Sequence, residues 1–254
     1  MRPKEIPVCG LAAVQALFEK EPASIKRLFF DAATSRRVPK ITSALAKAKR
    51  VYRVVTNEEL EKIAATKHHG GIVAVIDAKQ LARVSVAQLR EWAGQRAPLL
   101  ILDRVGNAHN LGAIARTAAF FGLQDIILPD HPQQAVPGEA AYRVAEGGME
   151  FLHFWQVGNL AEFCRDLREF YDVLGTAVAS GTQSVRKWKT AQPRHGGRPI
   201  ALIMGNEEHG LAPDVAEVCG ALVHLPAPNP RVESLNVSVA AGILIWELWV
   251  RDRA

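Results

Sequence analysis

Three short polar clusters in this 254-residue chain each sit where an apolar run ends. The first reads Asn110-x-Gly112-x-x-x-Arg116. The second reads Gly205-Asn206-Glu207-x-x-Gly210-Leu211, and the third Ser234-Leu235-Asn236-Val237-Ser238. Together they offer amides, hydroxyls, carboxylate and one guanidinium, with glycines that let another molecule approach the backbone. Such groups orient a polar substrate and stabilise charge. Arg116 stands among Ala113, Ile114, Ala115, Thr117, Ala118 and Ala119. A lone charge on a small-residue helix needs a partner, whether an ion pair or a bound anion. Glu207 or Glu208 can face inward beside Gly205. Ser234 and Asn236 also have a plainer reading as helix caps. The glycines do not follow the dinucleotide spacing, and no Gly-Lys-Ser/Thr phosphate loop occurs.

These clusters need elements to hold them. Uninterrupted apolar runs predict strands at 99–102, 125–129, 151–155, 172–178, 200–204 and 221–225. Helical spacing predicts helices at 111–121, 160–170, 213–218 and 236–250, with a short one in 139–148. Alternation of this kind implies an α/β fold with a parallel sheet flanked by helices on both faces. In such sheets ligands bind at the carboxyl ends of the strands, where all three clusters fall. The stretch 180–199 reads as a mobile loop. The final helix is apolar on every side, which predicts a buried helix. Pro226, Pro228 and Pro230 forbid regular structure just before it.

The first 78 residues read as a separate small α/β unit. Expected there are a helix over 8–20, a strand over 25–30 and a basic helix over 44–49. A strand over 51–55, a helix over 58–65 capped by Thr56, and a strand over 72–76 complete it. Residues 79–97 read as a linker with a helix at 86–92, and 98–254 as the second domain. Charge divides the chain unevenly. Residues 1–98 hold 18 Lys/Arg against 9 Asp/Glu, whereas 99–254 hold 13 against 17. Between Lys26 and Arg53 nine bases face one acid, Asp31. That excess predicts a polyanion partner, with Arg36, Arg37, Lys40, Lys47 and Arg50 as contacts. His68 and His69, at a Gly-Gly turn, read as structural or polyanion-contacting rather than catalytic.

No apolar run is long enough to span a membrane, and the first residues lack the apolar core of a signal peptide. Cys9, Cys164 and Cys219 are scattered, with no ligand spacing. They predict a reducing, cytoplasmic setting and no metal.

Taken together and in this order, the three clusters resemble the signature motifs of the SpoU (TrmH-type) branch of the SPOUT RNA methyltransferases. Residues 99–254 carry that resemblance. Gly10-x-x-x-Val14 and His68-His69-Gly70-Gly71 resemble the substrate-binding domain that precedes the catalytic one in many members. The turn Pro226-Ala227-Pro228-Asn229-Pro230-Arg231 departs from the family's glycine-containing turn. The resemblance implies a C-terminal trefoil knot, a homodimer, and S-adenosylmethionine as cofactor. It implies methyl transfer to a ribose 2′-hydroxyl of rRNA or tRNA. It places catalysis on Arg116, Asn110, Glu207, Ser234 and Asn236. It places the cofactor on Gly205, Leu225 and Leu235, with Thr176, Asn206, Gly210 and Ser234 nearby and further contacts expected up to Ser180. The family assigns proton removal to the Arg116 position; an arginine stays protonated at ordinary pH, so charge stabilisation by Arg116 is the other reading. Two competing functions are a non-catalytic RNA-binding or ribosome-assembly protein on this scaffold, and a small-molecule nucleotide enzyme. The second leaves the basic N-terminal unit unexplained.

Overall fold

The computed structural model describes residues 4–178, 182–192, 197–229, 231–232 and 234–252. In chain order the elements begin with β1 (Glu5–Cys9), α1 (Leu11–Lys20), β2 (Arg27–Phe30), α2 (Pro39–Lys47), β3 (Val51–Val54), α3 (Asn57–Ala64) and β4 (Ile72–Asp77). There follow β5 (Ala82–Arg83), α4 (Val86–Gln95), β6 (Leu99–Leu102), α5 (Ala108–Phe120), β7 (Asp125–Pro129), α6 (Glu139–Ala145), β8 (His153–Val157) and α7 (Leu160–Leu167). The last part holds β9 (Asp172–Thr176), β10 (Gln183–Ser184), α8 (Val185–Ala191), β11 (Ile200–Met204), α9 (Pro213–Val218), β12 (Ala221–His224) and α10 (Val237–Ile245), which continues into a π-turn, Trp246–Val250. The chain forms two compact units.

The first unit comprises Met1–Gln80 and Pro137–Phe151. Its sheet has the order β1-β4-β2-β3, antiparallel except for the β2–β3 pair. Expectation and structure differ at its start. Val8 lies in β1 rather than in a helix, and Gly10, at φ +92°, turns the chain into α1. β1 is an edge strand, where Pro7 is tolerated. The basic helix begins five residues earlier than expected because Pro39 occupies its first turn. Thr56 caps α3 as expected: its hydroxyl accepts from the Glu59 N–H at 3.3 Å, and Glu59 accepts from the Thr56 N–H at 3.0 Å. His69 is buried and its Nδ1 accepts from the Gly71 N–H, which makes it structural. A Cβ on Gly71 would lie 2.6 Å from the Asp31 carboxylate.

The second unit comprises Leu81–Val136 and Leu152–Ala254. Its eight strands run in the order β10-β12-β9-β11-β6-β7-β8-β5, and every pair is parallel. Successive residues of β6 point to opposite faces, and all four are fully buried. Leu99 and Ile101 join a core with α4, α7 and α9. α5 and α10 pack against one another. β5 and α4 belong to this unit: β5 pairs with β8, while Leu89 and Trp92 enter the core.

Three expectations change. The stretch expected as a loop holds β10 and α8, with Val185 and Trp188 buried and Arg186 and Lys187 exposed; 180–181 and 193–196 lie outside the described residues. β8 starts two residues late because Gly148–Phe151 forms a 3-10 turn. The final helix is not buried all round. Val239, Ile243 and Trp246 are exposed, Trp246 by 40%.

Candidate active site

Strands β12, β9, β11 and β6 are successive neighbours. Because all are parallel, their carboxyl ends share one edge of the sheet, and all three polar clusters lie along it.

The first cluster is anchored by a residue that sequence reasoning missed. Asp103 directly follows β6, is only 2% exposed, and must find donors. Its Oδ1 accepts from Arg104 Nε at 2.9 Å and its Oδ2 from the Ala212 N–H at 2.6 Å. The Asp103 N–H donates to the Met204 carbonyl at 2.8 Å. One carboxylate thus ties the loop after β6 to the exit of the loop after β11. The signal was there to read: an acid directly after four buried aliphatics. Asn107, not Asn110, caps α5, accepting from the His109 N–H at 2.8 Å. Asn110 is therefore inside the first turn, with its side chain free to reach outward.

The second cluster is a tight loop. Asn206 and Gly210 exchange two backbone hydrogen bonds of 3.0 Å. Asn206 Oδ1 accepts from the N–H groups of Glu208 and His209, and its Nδ2 donates to the Arg104 carbonyl at 2.8 Å. A Cβ on Gly205 would meet the Gly210 carbonyl carbon at 2.5 Å and the Leu211 nitrogen at 2.6 Å. Glycine is needed here for the protein's own backbone. Thr176, ending β9, donates to the Ile203 carbonyl at 3.1 Å and accepts from the Gly205 N–H at 3.4 Å.

A chain of hydrogen bonds joins the three clusters, and its direction follows from chemistry. An ionised Glu207 only accepts, so Asn110 turns its amide nitrogen towards it, at 2.5 Å. Asn110 Oδ1 then faces Asn236 Nδ2 at 3.1 Å. Asn236 Oδ1 in turn accepts from the Ser238 N–H at 2.9 Å and from the Ser238 hydroxyl at 2.6 Å, capping α10. One carboxylate thereby sets the orientation of two amides contributed by two different helices. Ser238, rather than Ser234, completes this chain; Ser234 is exposed just upstream.

The other expected residues are placed as follows. Arg116 is exposed on α5, Leu225 is half-buried after β12, and Leu235 is exposed before α10. Ala179, Ser180, Pro230 and Glu233, within the expected cofactor loops, lie outside the described residues. In the first unit Arg36, Arg37, Lys40 and Lys47 are exposed. Arg50 differs: its Nη1 donates to the carbonyls of Ala23 at 2.6 Å and Ile25 at 2.5 Å, so it is committed to the fold at that nitrogen. Burial pushes the Cys9 and Cys219 thiols up to about 11, and that of Cys164 upwards as well. None is a ready thiolate near neutral pH. Among the described residues no cluster of His, Cys, Asp and Glu has the makings of a metal site, and no helix is long and apolar enough to cross a membrane.

The model of the SpoU rRNA Methylase family matches residues 97–246, and that for RNA 2′-O ribose methyltransferase substrate binding matches residues 7–82. The 23S rRNA (guanosine-2′-O-)-methyltransferase RlmB of Bordetella pertussis is 36% identical over 250 residues, 97% of each chain. RlmB of Acinetobacter baylyi is 31% identical over 242 residues, 94% of each chain. The uncharacterized tRNA/rRNA methyltransferase YfiF of Escherichia coli O157:H7 is 33% identical over all of this chain and 70% of its own. Among solved structures, the AdoMet-bound rRNA methyltransferase of Sinorhizobium meliloti superposes with a TM-score of 0.77, covering 98% of this chain and 87% of that one. At 23% identity this last likeness is one of fold.

Proposed function

The chain belongs to the SpoU rRNA methylase family, and we propose that it transfers a methyl group from S-adenosylmethionine to a ribose 2′-hydroxyl of ribosomal RNA. The observation that carries this reading is the hydrogen-bonded chain from Glu207 through Asn110 and Asn236 to Ser238. It fixes polar groups from three strand ends at one edge, beside an exposed arginine. The relatives named as 23S rRNA (guanosine-2′-O-)-methyltransferases favour ribosomal over transfer RNA.

The residues fit the cofactor. Thr176, Gly205 and Leu225 end adjacent strands and offer peptide groups, while the exposed Leu235 offers an apolar surface. Leu225 and Leu235 would flank an apolar ring, and the loop from Gly205 to Gly210 would meet its polar groups. S-adenosylmethionine supplies an electrophilic methyl group on a sulfonium. The chain's own part is to hold the hydroxyl. Asn110 and Asn236 keep amide hydrogens beyond those already used, and these orient the ribose. The Arg116 guanidinium holds the neighbouring phosphate and balances charge on the hydroxyl oxygen as the proton of that hydroxyl passes to solvent water. Fixing that oxygen in line with the methyl group contributes through proximity. Ser234 borders the same edge.

The N-terminal domain, 1–78, supplies RNA affinity through Arg36, Arg37, Lys40 and Lys47. The catalytic domain, 98–254, carries the trefoil knot of its family and pairs with a second copy. That pairing is supported by the exposed apolar groove between α5 and α10, lined by Ala113, Phe121, Val239, Ile243 and Trp246. Its setting is the cytoplasm.

The test is incubation of the purified chain with labelled S-adenosylmethionine and ribosomal RNA from cells lacking its gene, followed by mapping of ribose methylation. One new 2′-O-methyl position is expected. No label in RNA, with RNA still bound, would leave the non-catalytic RNA-binding alternative.

A further inference from the structure

The sheet of the first unit is covered unequally. On one face Leu28 and Phe30 are buried; strand alternation puts Arg27 and Phe29 on the other. Register aligns two rows on that other face. One is Pro7, Val75, Arg27 and Val51; the next is Cys9, Val73, Phe29 and Arg53. The short helix α3 covers part of the second row, packing Leu60 and Ala64 with Cys9 and Val73, and Ile63 and Phe29 against them. The first row is left open. The result is a cleft of about 310 Å³ with Val75, Pro7, Phe29 and Ile63 as its apolar lining. Glu5 and Arg27 stand at its polar rim, ion-paired to each other. Beyond them along the sheet, Val51 and Arg53 are exposed.

We infer that this open sheet face binds one unpaired nucleotide of the RNA substrate, its base in the cleft against Phe29 and Ile63 and its flanking phosphate on Arg53. The inference rests on the proposed action on RNA and names a surface apart from the exposed bases of α2. A nucleobase has apolar faces and an edge of donors and acceptors. The cleft offers an apolar lining with an acceptor, Glu5, and a donor, Arg27, at its rim. A cleft of this size admits one base with its sugar but no base pair. Arg53, exposed and paired in register with Phe29, supplies the cation for a flanking phosphate. Sheet faces that join an aromatic ring to arginines suit unstacked bases, because every base has a face to stack and every linkage a charge.

The experiment uses the full chain and a short oligouridylate carrying 5-iodouridine. Irradiation of the wild-type complex should crosslink the peptides containing Phe29 and Arg53. Phe29→Leu keeps apolar volume but removes the ring, and should weaken oligouridylate binding roughly 5- to 100-fold. Arg53→Gln, at an exposed position, should lower the log–log salt slope by about 0.7, one phosphate contact to a single strand. A hairpin with its uridines paired should bind wild type and Phe29→Leu alike. Crosslinks confined to other surfaces, with unchanged affinity in Arg53→Gln, would overturn the inference even if Phe29→Leu failed to fold. Wild-type protein that binds neither RNA would overturn the inference and the proposed function together. Wild-type binding with no effect of either substitution would overturn the inference alone.

Discussion

Replacing Gly205 with alanine tests whether the loop after β11 is a rigid part of the cofactor site. The added Cβ would lie 2.5 Å from the Gly210 carbonyl carbon, 2.6 Å from the Leu211 nitrogen and 2.9 Å from the Gly210 oxygen, where ordinary contact begins at 3.4 Å. All three are backbone atoms, so no side chain can swing aside. The loop would have to move by about 0.9 Å, the shortfall at the closest atom. It is held by the two 3.0 Å bonds between Asn206 and Gly210 and by the 2.6 Å bond from Ala212 to Asp103. Overpacking costs about 1–3 kcal/mol, and one lost hydrogen bond adds about 1 kcal/mol. At about 1.4 kcal/mol per tenfold, a loop that yields should weaken S-adenosylmethionine roughly 30- to 700-fold. A loop that holds should show the cost as lost stability. Calorimetric titration and urea unfolding of the same preparations separate the two. Gly122→Ala is the control: its φ is +77° with nothing within 4 Å, so only the backbone term of about 1–2 kcal/mol should appear, with cofactor affinity unchanged. Wild-type affinity and stability in Gly205→Ala would refute the rigid loop.

Arg116→Ala should abolish methyl transfer while cofactor affinity stays near wild type, and Arg116→Lys should not restore it, since lysine lacks the planar fork; single-turnover assays with labelled cofactor check both. Neutralising Arg36, Arg37 and Lys40 together should lower the log–log salt slope of RNA binding by about 2–3 if each touches phosphate, without altering cofactor titrations. Trp246→Glu places a carboxylate in the exposed groove beside Phe121 and should convert a dimer to a monomer by light scattering; a wild-type monomer at micromolar concentration would refute the pairing itself. Glu150→Gln should change how stability depends on pH. Both Glu150 oxygens are buried without a hydrogen-bond partner, and burial raises the carboxyl above the usual range despite Lys79 at 3.6 Å. A raised carboxyl means that the folded state holds its proton longer than the unfolded one. The wild type therefore loses stability as pH rises from the ordinary glutamate range through the raised value. The glutamine variant lacks that fall. Urea unfolding at acidic and alkaline pH should show its relative stability rising with pH; a constant difference would exclude Glu150 as the source.

How far the fold can be read ahead depends on what each element buries. β6, β7 and β11 fall where the apolar runs lie because a parallel strand covered on both faces has little room for polar residues; Asp125, at the start of β7, is buried only because its carboxylate accepts from Trp155 Nε1. α3 was legible through its cap, since Thr56 and Glu59 satisfy one another's backbone donors. β1 was not. Val8 stands at helical spacing from Leu11, so five residues of strand look like the first turn of the helix they precede. α8 was hidden for the opposite reason. Arg186, Lys187 and Lys189 advertise a loop, while Ser184 accepting from the Lys187 N–H, and the pair Val185 and Trp188, carry the helical signal in three residues.

The candidate site shows a similar division. Polar residues beside glycines at strand ends stand out, because a buried strand that ends in Asn, Glu or Asp must satisfy them locally. Their pairing does not stand out: Asn110 and Glu207 are 97 residues apart, and Asn110 and Asn236 are 126 apart. Only the sheet order, which makes β11 the neighbour of β6, turns three separate clusters into one oriented chain. The final helix marks the limit most clearly. Apolar residues on every side state that every side needs cover, but they do not say whose. Within one chain α5 covers part of α10, and Val239, Ile243 and Trp246 remain exposed along a groove they share with Phe121, whose ring lies 5.8 Å from that of Trp246. A contiguous apolar face of this kind is costly in water. It begins at Ser238 and Val239, immediately after the capping Asn236, so whatever covers the groove also borders the polar chain. The proposed second copy would then do more than shield a helix: it would wall the edge where the hydroxyl is held.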